Sequence, residues 1–114
     1  MDAATAKRQA RELARRLIGE TIRTVSQGKP NRIVAVDDKN VLVHAAKESP
    51  VSWERNDSII DELFARATLS QSQLSPRRVY GGYRSAFIFA LLSRTSFADV
   101  KRHGRATRLE LRDT

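Results

Sequence analysis

Apolar positions along the chain keep two rhythms. Ala6, Ala10, Leu13, Ala14 and Leu17 recur at three- and four-residue spacing and predict a helix over residues 3–18, with Lys7, Arg8, Arg11, Arg15 and Arg16 mostly off that stripe. Glu12 stands four residues from both Arg8 and Arg16, the spacing at which helical ion pairs form. Gly19 suits a helix stop. Residues 21–25 then show the β-branched alternation of a short strand, although the helical stripe can also be continued through Ile22 and Val25; the strand is the preferred reading. Gly28, Lys29, Pro30 and Asn31 predict a turn, because Pro30 has no N–H to give and Asn31 suits turn geometry. Residues 32–36 and 41–45 are the clearest strands, joined by a polar hairpin loop over 37–40.

Beyond the hairpin, residues 49–56 read as a polar connection carrying the chain's one tryptophan, Trp53, whose expected task is to cap a small core. A second helix is predicted to begin at Asp57 or Ser58, with Asp61 and Glu62 near its positive end and Ile59, Ile60, Leu63, Phe64 and Ala67 facing the core. Residues 70–74 read as a capped single turn stopped before Pro76. The segment 76–94, PRRVYGGYRSAFIFALLSR, joins a cationic loop to the most apolar stretch of the chain and predicts a central helix starting near Tyr83 or Arg84. A last hairpin follows, with strands over 97–101 and 107–112 and His103, Gly104 and Arg105 at its tip. Val100, Leu109 and Leu111 mark its buried side, and Lys101, Arg102, Arg105, Arg108 and Arg112 its charge.

Alternating helices and short antiparallel hairpins within 114 residues predict one small α+β domain. The absence of cysteine excludes disulfides and thiolate metal sites and fits a cytoplasmic protein. No apolar run approaches a membrane span, and the basic first helix has an alanine-rich face without Trp or Phe anchors, so no membrane partner is expected.

Charge adds most to this picture. The net charge is +8, and residues 1–32 hold 8 Lys/Arg against 3 Asp/Glu, residues 33–75 hold 4 against 7, and residues 76–112 hold 9 against 2. Two basic ends around an acidic middle are the footprint of a polyanion binder. The expected binding residues are Arg77, Arg78, Tyr80, Tyr83, Arg84 and Ser85 at the start of the central helix, Lys101, Arg102, His103 and Arg105 on the hairpin, and Lys7, Arg8, Arg11 and Arg15 on the first helix. Arg105 at a hairpin tip suits backbone or minor-groove contact, whereas Arg84, backed by a rigid helix, suits contact with a base edge.

Catalysis is not expected. A metal nuclease needs converging carboxylates and a lysine, and Asp37, Asp38, Glu48 and Lys47 offer the types, but two aspartates are also what a hairpin loop carries. His44 and His103 are too few and too separated for zinc, no GxxxxGK[ST] or GxSxG motif is present, and no cofactor is implied.

From Ser58 to Arg112 the predicted order is helix, short helix, longer helix and basic hairpin, and in that order and charge the second half of the chain resembles a winged helix-turn-helix DNA-binding domain. The resemblance implies duplex DNA as partner. Because polar positions of the third helix are confined to Arg84, Ser85, Ser93 and Arg94, it places reading at the helix start, the 77–83 loop and the wing. RIVAVDDKNVLVHA ahead of GYRSAFIFALLSR is also similar to accessory domains of bacterial restriction and defence proteins. The alternative expectation is a non-catalytic adaptor of phage defence or counter-defence that docks an acidic protein through the same basic ends. Oligomeric state is left open.

Overall fold

A computed structural model of the chain describes residues 1–24, 28–70, 85–103 and 106–112. The first helix, α1 (Ala3–Arg16), starts where the Asp2 carboxylate accepts the Thr5 N–H at 2.8 Å, a cap that satisfies one of the free donors of its first turn. Ala6, Ala10 and Ala14 are fully buried, and this stripe of small side chains sets α1 closely against its neighbours. Gly19, at φ +88°, turns the chain and donates its N–H to Ile33 O at 2.7 Å, leading into β1 (Thr21–Arg23).

Antiparallel pairing in the order β1-β2-β3-β4 builds a four-stranded sheet from β1, β2 (Pro30–Val36), β3 (Asn40–His44) and β4 (Glu48–Ser52). Ile22, Ile33, Val41, Val43 and Val51 point into the core from it. The structure differs from the sequence reading at three places here. Pro30 and Asn31 belong to β2 rather than to a turn, with Pro30 at the first strand position, where its missing N–H is tolerated. Asn40 opens β3, so the hairpin loop is shorter than expected. The polar connection expected over 49–56 divides evenly between the following helix and β4, an edge strand in which Val51 alone is buried, too short a pattern for alternation to show.

The next helix, α2 (Trp53–Arg66), begins ahead of its expected start and is capped by Ser52, whose hydroxyl accepts Arg55 N–H at 3.1 Å. Tertiary contacts set that start. Trp53 is buried, donates its backbone N–H to Lys39 O and its ring Nε1–H to Asp37 O, both at 2.9 Å, and so is gripped by the β2–β3 loop. At the other end Ala67 is the left-handed C-cap at φ 63° rather than part of the core face, a place more often held by glycine.

Ser70, expected to cap a turn, closes β5 (Thr68–Ser70); the remaining residues of that turn, 71–74, lie outside the described residues. The apolar stem forms α3 (Ser85–Leu92), and Phe87, Ile88, Phe89, Ala90, Leu91 and Leu92 are all buried. Six successive buried residues leave α3 no open side between Phe87 and Leu92, in keeping with its packing against β1 and α1. The chain then closes with β6 (Ala98–His103) and β7 (Ala106–Leu111) in a second antiparallel sheet of order β5-β7-β6. His103 pairs with Ala106 as part of the ladder, so it is not at the tip. Phe64 of α2 meets Phe97 at 6.0 Å between ring centroids, and one continuous core joins both sheets and all three helices in a single α+β domain.

The core face of α2 carries a polar residue. Asn56, on the buried face of α2, is 1% exposed, and neither its amide nitrogen nor its oxygen has a hydrogen-bond partner among the described residues. An unpaired buried amide carries a desolvation cost of about 1–3 kcal/mol. Asn56→Leu, which keeps the side-chain heavy-atom count, is therefore expected to raise thermal stability by several degrees; an unchanged or lower melting temperature shows that the amide has a role in the folded chain.

Candidate nucleic-acid interface

The register of the final hairpin sorts its charge by height. Near the base Asp99 stands opposite Glu110; two residues towards the tip Lys101 stands opposite Arg108; beyond them Arg102 pairs with Thr107 and His103 with Ala106. Alternation puts Lys101 and Arg108 on the same outer face, both exposed, while Leu109 and Ala98 are buried on the other. Like charges directly opposite on a ladder are destabilising by themselves. The acidic row is relieved locally: the Arg112 guanidinium donates to Asp99 Oδ1 and holds that carboxyl below its ordinary range, with Lys101 contributing, while Asp99 raises Arg112 in turn. Neither Lys101 nor Arg108 has an ion-pair partner among the described residues. Arg112 is thus removed from the free positive charge of the hairpin, and Arg108 remains in it. The sequence gives Arg108 as part of the hairpin's charge without marking it as a binding residue; the signal that finds it is the two-strand register, which places it across from Lys101.

The cations of α1 divide between its two sides. Lys7 pairs with Asp61 and Arg11 with Asp57, each at 2.8 Å, and the Arg11 guanidinium also lies 5.2 Å from the centre of the Trp53 ring. These two side chains tie α1 to α2 and are committed within the fold. Arg8 reaches Glu12 at only 3.9 Å between exposed groups, and Arg15 is exposed without an ion-pair partner among the described residues. Of the four α1 residues expected to meet a polyanion, Arg8 and Arg15 face water and Lys7 and Arg11 face α2. The same pairs occupy Asp57 and Asp61, while Glu62 takes Arg66 at 3.2 Å.

Arg77, Arg78, Tyr80, Tyr83, Arg84 and Arg105 lie outside the described residues. Ser85 is placed as the first residue of α3, and Arg102 and His103 as the last two of β6, by their backbone alone. No three His, Asp or Glu side chains gather as a metal site among the described residues. Asp37, the centre of the nuclease alternative, accepts the N–H groups of Asn40 at 2.7 Å and Lys39 at 2.8 Å, and these bonds hold its carboxyl below its ordinary range. That is a hairpin-closing role. His44 stands in the ladder between Arg32 and Glu48, in the four-stranded sheet, whereas the final hairpin belongs to the other sheet. Among the described residues no helix is long and apolar enough to cross a membrane. No family model, curated protein or solved structure matches the chain, so its chemistry is read from these residues themselves.

Proposed function

We propose that the chain binds duplex DNA as a winged-helix-like domain, gripping phosphates with its basic final hairpin and reading the groove from residues 77–85. The observation that carries this reading is the exposed pair of Lys101 and Arg108, set directly across the ladder on the tip side of the hairpin. A polyanion gives that arrangement a use, because phosphate contacts turn mutual repulsion into shared attraction. The order α2, β5, α3, β6 and β7 supports the winged-helix assignment, with β5 adding a third strand beside β7.

Burial along α3 sharpens the proposal. Between Phe87 and Leu92 the helix has no exposed side chain to lay along a groove, so specificity falls to its start and what precedes it, above all Arg84, Ser85 and the loop of Arg77, Arg78, Tyr80 and Tyr83, and to Arg102, His103 and Arg105 of the wing. Arg8 and Arg15 of α1 supply further charge, whereas Lys7 and Arg11 are held by α2.

Duplex affinity measured against salt tests the reading. With about six phosphates neutralised, log K falls against log salt with a slope of roughly −5, each contact adding about −0.9. A slope near zero overturns it. Stronger binding of structured RNA than of duplex DNA replaces the proposed partner, and salt-sensitive binding of an acidic polypeptide in preference to both favours the adaptor alternative.

A further inference from the structure

A half-open groove of about 340 Å³ runs between the C-terminal half of α1 and the turn that follows α3. Leu13 lines its apolar part, and Gln9, Glu12, Arg16, Arg94, Thr95 and Ser96 supply its polar groups. Its volume lies near the lower end of the range of small-ligand clefts, about 300–1,000 Å³.

Its two arginines are uncommitted. Arg94 stands just past α3, where a basic side chain often caps the last carbonyls. That task is already filled. Phe89 O accepts Ser93 N–H at 2.9 Å, Ala90 O accepts the Ser93 hydroxyl at 2.7 Å, Leu91 O accepts Arg94 N–H at 3.1 Å, and Leu92 O accepts both Thr95 N–H at 3.1 Å and the Thr95 hydroxyl at 2.6 Å. The guanidinium of Arg94 is exposed and has no hydrogen-bond or ion-pair partner among the described residues; the same holds for Arg16 at the end of α1. Across the groove the Ser96 hydroxyl donates to Gln9 Oε1 at 3.3 Å, which ties the two walls together and leaves the Gln9 NH2 group as a donor. Glu12 is the one carboxylate, and it is turned to Arg8.

Two guanidinium forks and an amide donor around one groove match the oxygens of a phosphate, which arginine binds bidentately. We infer that this groove holds one phosphate, and that in the DNA complex it is a backbone phosphate, contacted by Arg16 and Arg94 at a point separate in sequence from the hairpin grip. The second part of the inference rests on the proposed DNA binding; the first does not.

Arg16→Ala combined with Arg94→Ala tests both parts, since both side chains are exposed and the fold is expected to persist, as an unchanged melting temperature confirms. In the wild-type protein, titration with inorganic phosphate is expected to give saturable amide shifts centred on Arg16, Arg94, Thr95 and Ser96 that vanish in the double variant. Shifts scattered over the surface, or none, overturn the site. With labelled duplex, the double variant is expected to lose about fivefold in affinity near 0.15 M salt and to lower the magnitude of the slope by about one, the effect of one phosphate contact. A steep wild-type slope that the double variant leaves unchanged overturns the backbone assignment while DNA binding stands. A flat wild-type slope removes DNA binding itself and the backbone assignment with it, and the phosphate titration then decides the site.

Discussion

Replacing both Lys101 and Arg108 by alanine is expected to weaken duplex binding about 30-fold near 0.15 M salt and to lower the magnitude of the salt slope by about two, because each lost phosphate contact removes about 0.9 from it. The two side chains share the outer face of the β6–β7 ladder at facing positions, so in the proposed complex they are expected to act on neighbouring phosphates together. Stability is expected to move little. Removing the pair relieves cross-strand repulsion, and it also removes the attraction of Lys101 for Asp99, so two opposing effects act on an exposed face. The readout is therefore a divergence: affinity and slope fall while the melting temperature stays within a degree or two. A lower melting temperature with an unchanged slope assigns the pair a structural role and removes the observation on which the proposed function rests. Arg112→Ala provides a contrast, since its charge is already turned to Asp99; it is expected to leave the slope nearly unchanged.

Leu91→Ala is expected to destabilise the domain by about 2–5 kcal/mol, the cost of a lost buried side chain plus the cavity left behind. Leu91 is fully buried in the last turn of α3, one turn on from Phe87 and Ile88, and α3 packs against both β1 and α1. Elements on all sides limit how far the site can collapse, which favours the upper part of that range. Against a total of about 5–15 kcal/mol for a domain of ordinary stability, the variant is expected to melt about 10 °C or more below wild type. Ile18, 47% exposed after α1, is the control: Ile18→Ala should change little. A Leu91→Ala melting temperature within two degrees of wild type contradicts the placement of α3 at the centre of the core.

The elements legible beforehand were those whose burial repeats over several turns or residues. The alanine and leucine stripe located α1, the β-branched runs located β2 and β3, and the unbroken apolar stem located α3. Of the shorter or unmarked features, β1 was legible from its β-branched alternation and three others were not. β4 buries one valine, β5 is three residues long, and α2 ends on an alanine in place of the glycine that usually marks a left-handed cap. The start of α2 escaped for a different reason. Ser52 is as good a cap as Ser58 by type, and what selects it is the hold of the β2–β3 loop on Trp53, a contact with no local signature.

Charge divides in the same way. The sequence by itself determined that the chain is strongly basic, that its basic excess lies at its two ends, and that its helices and hairpins suit one small α+β domain, because composition and periodicity are local properties. Which of those charges remain free was decided by tertiary structure. Arg11 and Asp57 are separated by 46 positions, and only the packing of α1 on α2 brings them to 2.8 Å and withdraws Arg11 from solvent. Hairpin register likewise turned Arg112 towards Asp99 and Arg108 towards Lys101. A charge is counted along the chain, but its freedom depends on what the fold places within a few ångströms of it.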